Sequence, residues 1–333
     1  MADTSAYVPP IDDYAFLFAE AFGTDVVARA TDGALSAEDA VDALSAAGEL
    51  AAEVLAPLNA SGDREGVTVV DGQAKTPTGF PEAYRAIVDA GWVTAEAPES
   101  AGGDGLPALV QAGLGEMWNA ANTSFALCSA LNTGAIHALD AYASDDLREQ
   151  YLTRLVSGEW TGTMNLTEPQ AGTDLGAIRT MATPNGDGTW SIKGQKIFIT
   201  WGDHDVAENI VHLVLARTPD APEGSKGISL FVAPKFLPDA SGNPGERNAI
   251  TTVSVEHKLG IHGSPTCTMI YGDGSVDGEE AGAVGYLIGE ENRGLACMFT
   301  MMNNARLLVG VQGIGVAEAA FQKALDYARE RRQ

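Results

Sequence analysis

Cysteine and histidine are both scarce in this 333-residue chain. The three cysteines, Cys128, Cys267 and Cys297, lie far apart and form no CxxC pair. This pattern argues against a disulfide framework and is typical of free thiols in a reducing compartment. The five histidines lack the spacing of metal ligands, so we predict no metal site. We therefore expect a cytoplasmic protein.

Basic residues are few. The chain has 20 lysines and arginines against 45 aspartates and glutamates, which gives a formal net charge of −25. Binding a nucleic acid requires clustered Lys and Arg that neutralise phosphates. We therefore predict no nucleic acid partner and no attachment to an anionic membrane surface. The acidic residues are spread along the chain, which is typical of a solvating surface.

Long apolar runs are missing too. No segment approaches the ~20 apolar residues that a membrane-spanning helix needs. The opening MADTSAYVPPIDDY has neither the basic nor the apolar region of a signal peptide. With 45% hydrophobic residues, the chain is nevertheless large enough for a real core and more than one domain.

The first ~160 residues have the apolar period of helices. In SAEDAVDALSAAGELAAEVLAP the apolar positions recur at steps of three and four residues. Ser36 and Asp39 form the pattern of a capping box, and Pro57 is predicted to end this segment. Ser144 is predicted to cap a later helix, DDLREQYLTRLVSGEW. The pattern from Pro107 to Tyr142 also predicts helix.

The pattern changes at about Thr161, where short alternating segments begin. The segments TWSIKGQKIFIT, NIVHLVLART, GISLFVAP and ITTVSVEHK read as strands. Turn dipeptides accompany them at Asn185-Gly186, Asp187-Gly188, Asp273-Gly274 and Asp277-Gly278. From about Glu291 the chain is again helical, as one long helix or a kinked pair.

These regions predict an α+β fold with an N-terminal helical domain, a middle antiparallel β-domain and the start of a C-terminal helical bundle. The predicted parts are an N-terminal extension at 1–35, the helical domain at 36–160, the β-domain at 161–285 and the beginning of the bundle at 286–333.

A hydroxyl-rich loop, TGTMNLTEPQAGTD, occupies residues 161–174 at the first junction. It has two interpretations. It could end one element and cap the next, or its hydroxyls and N–H groups could wrap a polar ligand, since ligands favour domain junctions. The residue pattern alone leaves both open. The glycines of APESAGGDGLP follow no strand and match no nucleotide-phosphate motif.

Three stretches together resemble the acyl-CoA dehydrogenase family of flavoenzymes. LTEPQAGTD at 166–174 is similar to its TEPxAGSD signature, and GQKIFIT at 194–200 is similar to its GxKxWIT strand. The helix that carries Arg306 and ends in YARERRQ resembles the start of its C-terminal bundle. YVPPIDDYAFLF and GAVGYLIGEENRGLACMFTMMNNAR resemble a branch of longer bacterial members.

The resemblance implies α,β-dehydrogenation of an acyl-CoA thioester in fatty acid metabolism, with hydride transfer to N5 of FAD. It also implies an electron-transferring flavoprotein as acceptor and a homo-oligomer, dimeric or tetrameric. An acyl-CoA oxidase is a near alternative. A non-catalytic FAD-binding member, or an incomplete subunit that needs a partner for its catalytic base, is a further one.

By resemblance, the Thr167 hydroxyl bonds the flavin ring, Leu166 packs against it, and Thr173 bonds the pyrophosphate near the CoA chain. Phe198 and Thr200 are two apart, so on a regular strand they share one face. Arg331 matches an arginine that reaches the FAD of a neighbouring subunit, although a solvated cation at a helix end is an equal alternative. The predicted cofactor residues are Met164, Leu166, Thr167, Gly172, Thr173, Phe198, Ile199, Thr200 and Arg331.

The resemblance also implies a substrate channel along the final helix. The predicted substrate residues are Thr173, Asn303, Asn304 and Arg306. A structural salt bridge is the alternative role for Arg306, since an unpaired cation beside LLVGV would be unfavourable.

No catalytic residue is predicted within this chain. The family's catalytic glutamate is expected beyond Gln333, and Ala305 stands where a minority of members carry it. We therefore expect the N-terminal part of a longer enzyme, or less simply a split subunit completed by a partner. Either would be inactive alone, with an uncovered apolar face on the last helix.

Overall fold

The computed structural model describes residues 7–274 and 281–332. Within them the chain forms a helical region, a β-sheet region and a final long helix, in that order. This order confirms the predicted α+β fold.

From residue 7 onward, nine α-helices precede the main sheet. They are α1 Ile11–Phe16, α2 Val26–Ala30, α3 Ala37–Leu50, α4 Ala56–Glu65, α5 Phe80–Asp89, α6 Trp92–Glu96, α7 Ala108–Tyr142, α8 Asp145–Leu147 and α9 Thr153–Val156. Three π-helical turns adjoin them at Leu17–Ala21, Ala51–Leu55 and Arg148–Leu152. Single 3₁₀ turns lie at Glu99–Ala101, Leu175–Ala177 and Gly224–Gly227.

Two predicted caps are confirmed. The Ser36 hydroxyl accepts from the Asp39 N–H at 3.1 Å, and the Asp39 carboxylate accepts from the Ser36 N–H at 3.0 Å, which completes the capping box of α3. Ser144 accepts from the Leu147 N–H at the start of α8. The prediction that Pro57 ends the first helical segment is wrong. Pro57 lies in the first turn of α4, which continues from α3 through the π-helical turn Ala51–Leu55 without a break.

Helix α7 forms the centre of the helical region and is interrupted once, at Asn122. That residue has φ −159° and ψ 88° and is fully buried. Its side-chain oxygen accepts from the Phe125 N–H at 3.2 Å, and its amide donates to the Leu55 carbonyl at 3.3 Å. The asparagine thus satisfies one backbone N–H of α7 after the break and one carbonyl of the π-helical turn Ala51–Leu55.

A hairpin interrupts the region predicted to be helical. Strands β1 Thr68–Val70 and β2 Gln73–Lys75 pair antiparallel. Two aspartates of the loop that follows the long strand Trp190–Thr200 bind this hairpin. The Asp203 carboxylate accepts from the Ala74 N–H at 2.8 Å and pairs with Lys235 at 2.6 Å. Asp205 accepts from the Thr76 N–H at 3.0 Å. Three-residue strands carry too weak a periodicity to predict.

The main sheet has eight strands. Seven follow the order β10-β11-β5-β12-β7-β6-β3, and β4 pairs with β5. The strands are β3 Trp160–Asn165, β4 Met181–Pro184, β5 Trp190–Thr200, β6 Asn209–Ala216, β7 Ser229–Pro234, β10 Ile250–Val255, β11 Thr266–Tyr271 and β12 Ala283–Ile288. A separate pair is formed by β8 Phe236–Pro238 and β9 Pro244–Arg247.

The sheet departs from its prediction in two ways. It is not wholly antiparallel, because β3 and β6 pair in parallel, with Trp160 opposite Asn209. Strand β12 also crosses the boundary predicted at residue 285 and lies between β5 and β7.

The predicted turns at Asn185-Gly186 and Asp187-Gly188 join β4 to β5, and that at Asp273-Gly274 follows β11. The predicted turn at Asp277-Gly278 lies outside the described residues.

The final helix, α10 Gly294–Glu330, is one continuous helix that packs along α7. One of its faces is exposed and apolar, as predicted. The large exposed side chains on it are Leu307, Val309, Ile314, Val316, Phe321 and Tyr327. At the other face, the Gln322 side-chain N–H donates to the Val8 carbonyl, and the Gln322 side-chain oxygen accepts a hydrogen bond from the Val8 N–H. These two bonds tie the start of the described chain to α10.

Buried apolar residues form a large cluster across the helices, the inner face of the sheet and the start of α10, and a smaller one within the sheet. All three cysteines are buried and free. Across 7–274 and 281–332, every helix is too short or too polar to cross a membrane.

Candidate functional site

The 166–174 loop is held by the buried carboxylate of Glu168. One oxygen accepts from the Thr180 hydroxyl at 2.6 Å and from the Thr180 N–H at 3.1 Å. The other accepts from the Arg179 N–H and from the Gln170 amide, both at 2.6 Å. A carboxylate that receives this many donors fixes the course of the loop.

Lys196 on β5 also binds the Glu168 carboxylate. Its ammonium, fully buried, donates to Glu168 at 2.8 Å and to the Leu166 carbonyl at 3.0 Å. Burial lowers the pKa of Lys196 to about 8, against the opposing effect of the Glu168 carboxylate. Burial alone would raise the pKa of Glu168, but the Lys196 charge and the hydrogen bonds together lower it. The pair is therefore ionised at neutral pH.

The structure brings the two predicted motifs together. The Ile197 N–H donates to the Thr167 carbonyl at 2.9 Å, so the loop runs directly beside β5. Thr167 is half-buried, while Gly172 and Thr173 are exposed. Leu166 packs into the large apolar cluster. Thr167, Gly172 and Thr173 therefore offer polar groups beside the end of β5.

Phe198 does not lie on a regular strand. The register between β5 and β11 shifts so that Ile197 and Phe198 together face Thr268. Phe198 has φ 59°, a left-handed conformation that is unfavourable for an aromatic residue, and its side chain is 57% exposed. Regular two-residue alternation is therefore interrupted by a β-bulge between Lys196 and Ile199, and the shared face of Phe198 and Thr200 stays a prediction.

The end of β5 is tied to the helical region. Trp201, also at positive φ, stacks near Phe80 and donates its indole N–H to the Ser124 carbonyl at 3.1 Å. Ile199 was predicted to bind the cofactor, yet its side chain is buried in the smaller cluster within the sheet. Thr200, the next residue, lines a cavity.

That cavity, of about 170 Å³, lies between α7, the sheet and α10. Its lining is mostly apolar and consists of Asn119, Ala126, Leu127, Ala130, Leu131, Met164, Thr200, Ala305, Leu308, Val309 and Gln312. Two predicted cofactor residues, Met164 and Thr200, therefore meet Ala305 of α10 around one space.

The predicted substrate residues on α10 are Asn303, Asn304 and Arg306. They are sequence neighbours of Ala305, which lines the cavity. Arg306 is exposed, donates to the Asn303 amide oxygen at 3.0 Å and lies 5.2 Å from the centre of the Phe299 ring. Within residues 7–274 and 281–332 these contacts, rather than a carboxylate, accommodate the cation, and both roles for Arg306 stay predictions. The side-chain nitrogen of Asn304 is buried and has no partner among the described residues.

Arg331 lies apart from the other predicted residues. It follows the last turn of α10, is exposed, and donates to the Tyr327 hydroxyl at 3.4 Å. Nineteen helical residues separate it from Gln312, which is about 28 Å along the axis. A role toward a neighbouring subunit stays a prediction.

Sequence reasoning missed the Glu168–Lys196 pair and the Asn119–Gln312 pair, in which the Gln312 amide donates to Asn119 at 3.1 Å. The first pair did leave a signal. Alternation along GQKIFIT places Lys196 with the buried residues Ile192 and Gly194, and a lysine on a core-facing position requires a partner. The second pair joins two helices distant in sequence and left none.

These residues fit the flavin that the resemblance implies. A largely exposed aromatic ring at Phe198 stands on the same loop-and-strand edge as the hydroxyls of Thr167, Thr173 and Thr200. A flat apolar ring with a polar edge needs such a combination of aromatic surface and hydrogen-bonding groups.

Comparison with known proteins agrees with this geometry. Models of the acyl-CoA dehydrogenase N-terminal, middle and C-terminal domains match residues 38–159, 163–273 and 292–333. The chain is 50% identical over 308 residues to 3-methylmercaptopropionyl-CoA dehydrogenase of Ruegeria pomeroyi, which covers 92% of this chain and 51% of that protein. It is 36% identical to a broad-specificity linear acyl-CoA dehydrogenase of Mycobacterium tuberculosis, over 99% of this chain and 54% of that one.

Solved structures show the same fold. Butyryl-CoA dehydrogenase of Megasphaera elsdenii superposes with a TM-score of 0.69 at 26% identity, over 88% of this chain and 70% of that one. A structure described as the electron transferring flavoprotein of Acidaminococcus fermentans superposes with a TM-score of 0.73 at 26% identity, over 89% and 70%. The chain spans about half the length of the curated relatives it matches.

Proposed function

Since the chain belongs to the acyl-CoA dehydrogenase family, we propose that it acts in the FAD-dependent α,β-dehydrogenation of an acyl-CoA thioester. The observation that carries the proposal is the hydrogen bond from the Ile197 N–H to the Thr167 carbonyl. It joins the two motifs into one edge beside the cavity that Met164 and Thr200 line. When bound, FAD accepts the β-hydrogen of the substrate as hydride.

The proposed role of this chain's residues is to bind the cofactor and to orient it. Thr167 and Thr200 donate hydrogen bonds to the polar edge of the ring, Phe198 covers apolar ring surface, and Thr173 bonds the pyrophosphate. The ionised Glu168–Lys196 pair keeps the loop rigid, so the donors are held before the cofactor arrives. Such preorganisation reduces the entropy lost on binding.

The thioester is proposed to pass along α10. Arg306 is exposed and has no carboxylate partner within residues 7–274 and 281–332, so its charge is available to an anionic group of CoA. Asn304 offers its unpartnered nitrogen nearby. The apolar walls of the cavity exclude water from the reacting carbons.

The proton acceptor stays unassigned among these residues. No carboxylate of residues 7–274 and 281–332 lines the cavity, and the expectation of a glutamate beyond Gln333 stays a prediction. We also propose an electron-transferring flavoprotein as acceptor, a homo-oligomeric state and a cytoplasmic location. An oxidase remains the alternative, which reoxidation of the reduced flavin by oxygen would reveal.

Replacing Thr167 by valine tests the cofactor assignment. The variant loses one hydroxyl with little change in volume, so FAD affinity should fall by about 1 kcal/mol, or about fivefold. The measurement is a titration of the chain with FAD, followed by flavin absorbance. The matched control is Thr183→Val, an exposed threonine on β4. If the Thr167 variant bound FAD with wild-type affinity and showed the wild-type flavin spectrum, the assignment of Thr167 to the flavin would be wrong.

A further inference from the structure

Resting on the proposed function, we infer that Arg217 is a positioning residue for the cofactor. Its guanidinium holds the chain just after the hydroxyl-rich loop, so it acts on FAD through Thr173 and not by direct contact. The inference adds a residue that follows the end of β6 and lies in neither of the two matched motifs.

Arg217 donates to four backbone carbonyls in two separate loops. Two bonds hold the chain just after the hydroxyl-rich loop, from Nη2 to Gly176 at 2.6 Å and from Nε to Ile178 at 3.0 Å. Two others hold the loop between β6 and β7, from Nη1 to Pro222 at 2.9 Å and from Nη2 to Gly224 at 2.7 Å. The rigid fork of the guanidinium therefore joins these two loops.

The hydrogen bonds of Arg217 indicate that it organises backbone and does not neutralise charge. Among the described residues its guanidinium pairs with no carboxylate. Arg217 is half-buried, and the carbonyl oxygens replace the water that its donors lose. Since the guanidinium is planar and its donors point in set directions, the carbonyls that accept from it are held in fixed relative positions.

Two glycines allow the loops to close on the guanidinium. A side chain on Gly176 would meet the Cα of Gly224 at 3.3 Å. A side chain on Gly227 would collide with the Pro222 carbonyl oxygen and would meet Nη1 of Arg217 at 2.7 Å. The two loops therefore touch each other at Gly176 and close around the arginine.

The backbone of Arg217 is anchored as well. Its N–H donates to the Thr180 carbonyl at 2.8 Å, and its carbonyl accepts from the Ala182 N–H at 2.7 Å. Thr180 in turn donates to the Glu168 carboxylate. The hydroxyl-rich loop is thus fixed by Glu168 on one side of Thr173 and by Arg217 on the other. Holding the Thr173 hydroxyl in place before the cofactor binds reduces the entropy lost on binding.

The test is a double-mutant cycle on FAD affinity. Thr173→Val, Arg217→Met and the double variant are titrated with FAD and followed by flavin absorbance. Arg217→Met should weaken binding about tenfold, since a displaced hydroxyl loses its hydrogen bond to the charged pyrophosphate. The double variant should lose less than the product of the two single losses, because Arg217 cannot position a hydroxyl that is absent. Circular dichroism of the cofactor-free proteins verifies that each is folded.

Two further variants separate the position of the loop from charge and from general stability. Arg217→Lys keeps the charge but replaces the fork by a single nitrogen, so FAD affinity should still fall about fivefold. It takes the place of Arg217→Met in the cycle if the methionine variant does not fold. Arg148→Met is the matched control, since Arg148 is also half-buried and donates to the Ser100 and Asp140 carbonyls within the helical region. It should keep wild-type affinity.

The outcomes separate the two proposals. Failure of the wild-type chain to bind FAD, or wild-type affinity in Thr173→Val, overturns the proposed cofactor assignment and this inference with it. Wild-type affinity in a folded Arg217 variant overturns the inference alone. A double variant that loses the full product of the single losses, or an equal loss in Arg148→Met, does the same.

Discussion

At the scale of single residues, the buried pair of Lys196 and Glu168 holds the candidate site together. Charges that are taken out of water are tolerated only when their partners and hydrogen bonds are complete. Here the carboxylate receives donors from Lys196, Thr180, Arg179 and Gln170. Removal of one charge would leave the other buried without a counterion, so the pair is sensitive to single substitutions.

We predict that Lys196→Met lowers the free energy of unfolding by about 3–5 kcal/mol, since it leaves the Glu168 charge unpaired. The double variant Lys196→Met, Glu168→Gln should recover part of that loss, because no buried charge remains. Urea unfolding of both variants measures the difference.

Lys75→Met serves as control. Lys75 pairs with Asp205 at 3.5 Å but is 47% exposed, so its loss should change stability by less than about 1 kcal/mol. If Lys196→Met were no more destabilising than this control, the Lys196–Glu168 pair would not stabilise the 166–174 loop.

At the scale of secondary-structure elements, the local signals in the sequence decided where elements begin, and packing decided how they continue. The capping box at Ser36 starts α3 as its residues predict. Pro57, a residue that usually follows a helix end, instead begins α4 after a π-helical turn. Strand β5 keeps its alternation up to Lys196 and then loses it at the bulge.

Replacing Ser36 by alanine removes the side chain that accepts from the Asp39 N–H. We predict a loss of about 1 kcal/mol in the free energy of unfolding, whereas Ser36→Gly should lose only a few tenths. Thermal unfolding of the two variants, followed by circular dichroism, makes the comparison. An alanine variant as stable as the glycine variant would contradict the capping role.

At the scale of the whole molecule, helices α7 and α10 frame the site, and the acidic surface sets the response to solvent. The two helices pack against each other, and residues of both line the cavity. The net charge of −25 repels itself across the folded protein. That repulsion favours expansion of the chain and is weakened by salt.

We predict that sodium chloride raises the midpoint of thermal unfolding. Between ~0.01 M and ~1 M salt the screening length falls from about 30 Å to about 3 Å, so the mutual repulsion of the carboxylates declines. A gain of ~1 kcal/mol would raise the midpoint by about 2 °C. Chloride is preferred to sulfate, since sulfate strengthens apolar burial whatever the charge. A midpoint that stays level or falls would show that repulsion is not limiting.

The sequence by itself determined the order of helices, sheet and final helix, the caps at Ser36 and Ser144, and the two motifs that meet at the site. These depend on local periodicity, on turn and cap chemistry, and on short-range spacing, all of which act between neighbours in the chain. Only the tertiary structure decided the bulge at Phe198, the pairing of Lys196 with Glu168, and the contact between Asn119 of α7 and Gln312 of α10. Each of these joins residues far apart in sequence, and their packing together overrides the preferences of each segment alone.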